Sequence, residues 1–215
     1  MYNISYFKEE DPAVVLAFMK ANPFVTLCGC DADGKPVATH VPVLFSERDG
    51  KLFLQAHIMR KQDHTVAFEQ NNNVMAIFHG PHTYVSASWY DNNHSGSTWN
   101  YMVVHATGAM RFMDEKALYD LLTRLTDKYE NDPHSPSLVK HLSDEYMNSM
   151  MKAIVAFEIE VSSIENVFKL SQNRNEKSYQ NIIEKLESRG FKDDHAIAEE
   201  LKARRGKMFP KNDRD

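Results

Sequence analysis

The chain has 215 residues, 42% of them hydrophobic and 26% charged, with a formal net charge of −5. That is enough for one domain with a sizeable core, with room for a small helical addition, and the acidic balance argues against a general nucleic-acid binder, which carries a basic field. No apolar run is long enough to span a bilayer. Met1-Tyr2-Asn3-Ile4-Ser5 lacks the basic and apolar regions of a secretory leader, and Cys28 and Cys30 are the only cysteines, so a reducing cytoplasmic compartment and no membrane association are expected.

In chain order, Asp11-Pro12 opens a helix, Val14 to Met19 is its apolar body and Asn22-Pro23 ends it. Phe24 to Cys30 reads as a strand, Asp33-Gly34 as a tight turn, and Pro36 to Phe45 as the return strand. A second turn at Asp49-Gly50 leads to a strand over Lys51 to His57, and Lys61 to Gln70 reads as a short helix. Val74 to Phe78 is a strand broken at Gly80-Pro81, and Tyr84 to Trp89 is another. A polar loop over Asp91 to Ser97 precedes a long strand from Trp99 to Phe112, in which Gly108 marks a bulge or bend. Asp114 caps a helix running to about Glu130, a loop with two prolines follows from Asn131 to Ser137, and Ser143 to Lys152 is helical. Ile154 to Val161 alternates, with Val155, Phe157, Ile159 and Val161 on one face and Glu158 and Glu160 on the other, the pattern of a half-buried antiparallel strand. From Asn175 the chain is charged and helical, with Gly190 between two segments. Six or more strands joined mostly by short turns, without βαβ alternation, predict an α+β protein built on an antiparallel barrel with peripheral helices. The expected division is a barrel domain over 1–174 and a C-terminal helical extension over 175–215.

Several segments carry candidate chemistry. Arg60 and Lys61, after His57 at a strand-to-helix junction, combine a two-pronged phosphate donor with a point charge beside free helical N–H groups. A solvated basic turn is the plain alternative. Thr39-His40-Val41-Pro42 reads as an edge strand, because proline removes a ladder donor, and its backbone could pair the edge of a flat heterocycle or face solvent. His79 and His82 flank Gly80-Pro81, with no carboxylate or cysteine at a spacing that would complete a metal site, so no metal is expected. Dense aromatics at Tyr84, Trp89, Tyr90, Trp99 and Tyr101 suit a ring pocket or a dimer interface equally. Cys28 and Cys30 share a strand face and read as small apolar groups rather than a redox pair. Gly-x-Ser-x-Gly, P-loop, dinucleotide and paired Cys-x-x-Cys motifs are absent from the sequence.

Ala38-Thr39-His40-Val41-Pro42, His57 to Lys61, Ile77-Phe78-His79-Gly80-Pro81-His82, Ser86 to Tyr90, Thr98-Trp99-Asn100-Tyr101 and Phe168-Lys169-Leu170-Ser171-Gln172-Asn173-Arg174 occur in order over nearly the whole chain. Together they resemble the PaiB family of FMN-binding negative transcriptional regulators, which belongs to the split-barrel flavin-binding fold. The resemblance implies an antiparallel split β-barrel, a homodimer and FMN at the interface. It implies that Thr39, His40 and Val41 face the isoalloxazine ring, that Arg60 and Lys61 with His57 hold the phosphate, and that Trp99, Asn100, Gln172, Asn173 and Arg174 complete the pocket. Where the family favours an Ala-Arg-Ala-Asn-like run, this chain has Met59-Arg60-Lys61-Gln62.

Three functions are compatible with that frame. A transcriptional regulator would need a DNA contact. No helix-turn-helix signature is present, and Lys202 to Lys211, with Arg204 and Arg205, is the basic cluster available for phosphates, or else a solvated tail. A flavin-dependent oxidoreductase, of the pyridoxamine-phosphate oxidase or flavin reductase kind, would use His40, His79 or Tyr84 as proton donors. A tetrapyrrole binder would use His79 or His82 as the axial ligand.

Overall fold

The computed structural model describes residues 1–92 and 95–210. Residues 93–94 of the expected polar loop, and Lys211 of the C-terminal basic cluster, lie outside the described residues. In chain order the elements are α1 (Pro12–Ala21), β1 (Phe24–Cys30), β2 (Pro36–Pro42), β3 (Leu44–Arg48), β4 (Lys51–Met59), α2 (Asp63–Gln70), β5 (Asn73–Val85), β6 (Thr98–Phe112), α3 (Glu115–Glu130), α4 (Asp144–Ala153), β7 (Ile154–Lys169), α5 (Glu176–Arg189) and α6 (Asp194–Met208). The strands form one sheet in the order β2-β1-β5-β6-β7-β4-β3. The β1–β2, β1–β5, β3–β4 and β4–β7 pairs are antiparallel.

The chain divides into two compact units. The first comprises Met1–Met19, His79–Val104 and Glu165–Asp215 over its described residues, and the second Lys20–Phe78 and His105–Ile164. In the second unit β2 and β3 stand at opposite ends of the strand order, yet Val43 alone separates them in sequence. One residue spans only about 3.5 Å, so the sheet must curl until its two end strands come close, as a barrel requires. Pro36 to Phe45 is therefore not one strand. It divides at Val43, whose N–H donates to the Pro23 carbonyl (2.9 Å), and the two parts pair with different neighbours.

Local chemistry sets most other boundaries. Asp114 accepts from the Ala117 N–H (2.8 Å) and starts α3. Leu118, Leu121, Leu122 and Leu125 recur at helical spacing and are buried against Leu44, Ile154, Ala156 and Met147. Asn131 closes that helix in the left-handed conformation. The helix expected from Lys61 begins only at Asp63, because Lys61 itself adopts φ +60° in the preceding turn.

Three further expectations about strands are corrected. Gly80-Pro81 does not break the strand, and β5 runs on to Val85. The β1–β5 pairing runs over Met75 to Ile77, so Pro81 lies past it and deprives β1 of no donor. The segment expected as a strand over Tyr84 to Trp89 instead ends in a short 3₁₀ turn, Ala87–Trp89, in which Ser86 Oγ accepts from Ser88 N–H. β7 continues to Lys169, eight residues past Val161; the extension does not show in the sequence pattern because Ser162, Ser163, Ile164 and Glu165 are exposed and the alternation that marks a buried face is lost. Gly108 is a point of close approach. A Cβ there would stand 2.1 Å from the Glu160 carbonyl oxygen, so only glycine lets the two strand backbones meet.

Candidate functional site

In the second unit, edge strand β2, the end of β4 and the start of α2 enclose a cavity of about 470 Å³. It is lined by Thr39, His40, Val41, His57, Met59, Gln62 and His64, with Ile58 and Ile154 supplying apolar wall. β2 stands at one end of the strand order, so among the described residues one edge of its backbone is not paired within the sheet. The structure thus brings together four residues that the sequence singled out, Thr39, His40, Val41 and His57. The His40 ring stacks on Phe24 (6.3 Å between centroids, 21° between planes). His57 Nδ1 is buried without a hydrogen-bond partner. Burial also lowers the pKa of the His57 imidazole below its ordinary value.

Arg60 and Lys61 form the turn between β4 and α2. The Arg60 N–H donates to the Ala153 carbonyl (2.8 Å), which fixes the turn on the residue before β7. Neither cationic side chain has a carboxylate partner or a side-chain hydrogen bond among the described residues. Lys61 occupies the left-handed region, which costs a residue with a Cβ about 1 kcal/mol. The helix start is only partly open to an anion, because Asp63 Oδ1 already accepts from the His64 N–H (2.7 Å). Gln62 occupies the N-cap without making a side-chain capping bond.

The remaining residues of interest lie in the first unit. His79, His82, Trp99, Tyr101 and Met102 line a largely apolar cavity of about 510 Å³ with Gly80 at its wall. Tyr84 meets the Trp99 ring edge-on at 6.0 Å. Asn100 is fully buried. Its Oδ1 accepts from Ser171 Oγ (3.0 Å), and its Nδ2 has no partner. Gln172 is engaged within its own turn, accepting from the Leu170 N–H and donating to the Phe168 carbonyl. Arg174 lies 3.9 Å over the Tyr90 ring and donates to Ser95 Oγ (3.2 Å), while Asn173 is exposed. Lys169 donates to Thr98 Oγ1 and to the Trp99 carbonyl, and burial, then the nearby Arg174, lowers its pKa.

Sequence reasoning missed two buried carboxylates. Glu158, expected on a solvent face, is fully buried. It accepts from Arg111 through Nε (3.0 Å) and Nη2 (2.7 Å), from Gln55 (2.6 Å) and from Arg48 (2.6 Å). Burial alone would raise its pKa. Arg48, Arg111 and Gln55 outweigh that and hold the carboxyl below the usual range. In the first unit Asp194 is likewise fully buried and accepts from Arg189, Thr83 and the Phe191 N–H, which ties the α5–α6 turn to β5. Strand alternation cannot reveal either site, because the partners come from distant parts of the chain.

Residues 1–163 match the family described as "Putative FMN-binding domain". The chain is 37% identical over 188 residues to the Bacillus subtilis "Protease synthase and sporulation protein PAI 2", covering 87% of this chain and 90% of that protein. The chain belongs to this family. It is a flavin-binding protein of the PaiB type, and FMN is its cofactor. Among solved structures, the flavocytochrome Anf3 from Azotobacter vinelandii matches at 17% identity and a TM-score of 0.55, over 84% of this chain and 78% of its own. The FAD- and heme-binding protein from Mycobacterium smegmatis matches at 16% identity and a TM-score of 0.55, over 76% of this chain and 73% of its own. At those identities the likeness establishes the fold, and the PaiB-type chain has the α+β split barrel with peripheral helices. None of its helices is long and apolar enough to cross a membrane, among the described residues.

Proposed function

We propose that FMN occupies the His57 cavity, with its phosphate against Arg60 and Lys61 and its ring against Thr39, His40 and Val41, and that the protein works as a cytoplasmic homodimer. The observation that carries this reading is the buried His57 Nδ1, without a partner among the described residues, in a cavity whose lining includes Met59 and Gln62 on either side of the Arg60-Lys61 turn; the two cations do not line the cavity themselves and have no carboxylate partner among the described residues. Buried polar atoms are rarely left unpaired, so the His57 Nδ1 fits a site that a ligand completes. The unpaired backbone edge of β2 offers donors and acceptors to a ring edge. When bound, FMN supplies the redox chemistry, and the protein supplies position and polarity. Arg60 and Lys61 hold the anionic end. Trp99, Asn100, Gln172, Asn173 and Arg174 complete the pocket in this reading as the contribution of the partner protomer. In the first unit Gln172 and Arg174 already have partners, so Trp99 and the free Nδ2 of Asn100 are the groups with capacity left.

The activity best supported is flavin-dependent oxidoreduction of a small molecule, with His40, His79 or Tyr84 as the proton donor. The basic C-terminal segment favours it over direct DNA contact. Lys202 pairs with Glu187 and Glu199, Arg204 with Glu9 and Glu200, and Arg205 with Glu176. Cations neutralised within the chain release few counterions from a phosphate backbone. Transcriptional regulation is the second reading, favoured by membership of the PaiB family. Anaerobic bleaching of the bound flavin by NADH or NADPH, with substrate-dependent reoxidation, supports the first. A flavin that no nicotinamide reduces, together with a sequence-selective gel shift, supports the second.

A further inference from the structure

A second cavity in the second unit, sharing no lining residue with the His57 cavity, is open to solvent beside the Glu158 cluster. It encloses about 600 Å³ and is lined by Ser46, Gln55, Met113, Tyr119, Asp120, Thr123 and Arg124. Gln55 is buried, and its side chain acts as a relay, donating to Glu158 through Nε2 and accepting from Arg124 Nη2 (2.7 Å) through Oε1. Arg48 and Arg111 hold Glu158 from its other sides, so two guanidinium groups bind the carboxylate directly and a third, Arg124, reaches it only through Gln55. Asp120 lines the same cavity, but Lys116 one turn away neutralises it (2.8 Å). The cluster therefore keeps a surplus of two positive charges.

The donors match the charge. Arg124 uses one N–H on Gln55 and is otherwise exposed, leaving the rest of its fork free. Ser46 and Tyr119 carry hydroxyls without a side-chain hydrogen bond among the described residues. Thr123 donates back to the Tyr119 carbonyl (3.0 Å) and so offers only lone pairs. Arg48 follows Ser46 by two residues on the same face of β3, within about 7 Å along the strand. Met113 and Ala117 give the cavity an apolar wall for a carbon skeleton.

We infer that this recess binds a phosphorylated small molecule, its phosphate gripped by Arg124 with Ser46 and Tyr119, in the field of Arg48 and Arg111. A planar guanidinium and hydroxyl donors are the groups that recognise a phosphomonoester, and the volume exceeds what inorganic phosphate alone would fill. A cationic recess of this kind also concentrates anionic ligands before contact.

The test is isothermal titration of ribose 5-phosphate, at low ionic strength, into protein already saturated with FMN, so that the flavin site cannot take up the probe. Saturable binding is expected, and it should weaken as salt is raised. Arg124→Gln should lower the affinity roughly tenfold or more while leaving the flavin absorbance unchanged, and Ser46→Ala should lower it less. Arg124 is exposed on α3, so its variant should stay folded, which a thermal melt checks. No heat up to millimolar probe, or equal binding by wild type and Arg124→Gln, would overturn the inference without touching the assignment of FMN to the His57 cavity.

Discussion

Two stretches of this chain carry clustered cations and use them in opposite ways. Lys202, Arg204 and Arg205 on α6 each face a carboxylate of the same chain, so the charges fasten α6 to α5 and to Glu9. Arg60 and Lys61 face none among the described residues. A count of basic residues would rank the C-terminal cluster first as an anion site, and the ion pairs reverse the ranking. What makes a cation available to a ligand is the carboxylate that is missing beside it, and that depends on tertiary structure.

The largest effect should come from breaking a fully paired site. Glu158→Ala leaves buried Gln55 without its acceptor and empties the position that Arg48 and Arg111 bind; because both arginines reach solvent, the loss in stability should be about 1–3 kcal/mol, read as a lower midpoint in urea. The same pairing gives an acid limit. The folded pKa of Glu158 lies below the ordinary carboxylate value, as do those of Asp194 and Glu9, whose burial is outweighed by Arg189 and Arg204. Their contribution is complete above the unfolded pKa of about 4.3 and is lost as pH falls through the lower folded values. His57 acts at milder pH. Its folded pKa is depressed, so its contribution is complete above about 6.5 and declines as pH falls below that. A pH series of melts in wild type and His57→Gln separates the two windows, because only the milder one should vanish in the variant.

Next comes converting one region into the other. Gln62→Glu places a carboxylate beside Arg60 and imitates the arrangement on α6. FMN affinity should fall about tenfold, on the order of 1.4 kcal/mol, with little change in stability because Gln62 is exposed. Flavin fluorescence quenching measures it. The smallest effect should come from Arg205→Ala, whose partner Glu176 is also largely exposed. Such pairs contribute under about 1 kcal/mol, and FMN binding should not change.

The sequence made the order of elements legible wherever local chemistry decides it. Asp114 at the start of α3, Asn175 and Gly190 around α5, and the turns at Asp33-Gly34 and Asp49-Gly50 are all signals carried by one or a few residues. The β2–β3 division was hidden, because Pro42 reads as an edge residue whether the strand continues or crosses to the far end of the sheet. The continuity of β5 through Gly80-Pro81 was hidden for a related reason, since a proline is costly only where a neighbour needs its N–H. Thr39, His40, Val41 and His57 were legible as candidates, through the proline in β2 and the strand-to-helix junction, and they do share one cavity. Gln62 and His64 escaped notice because they flank the junction without any motif. Glu158 read as an ordinary outward position, since the arginines that pair with it, Arg48 and Arg111, come from β3 and β6.

The measurement closest to the central claim compares FMN with riboflavin, which lacks the phosphate, on wild type and on Arg60→Ala. A charge-assisted phosphate contact contributes about 1.5–3 kcal/mol. Wild type should therefore prefer FMN by roughly ten- to hundredfold, and the variant should lose most of that preference while binding riboflavin as before. Equal affinities of wild type for the two flavins, or an undiminished preference in Arg60→Ala, would contradict the assignment of the unpaired turn cations to the flavin phosphate.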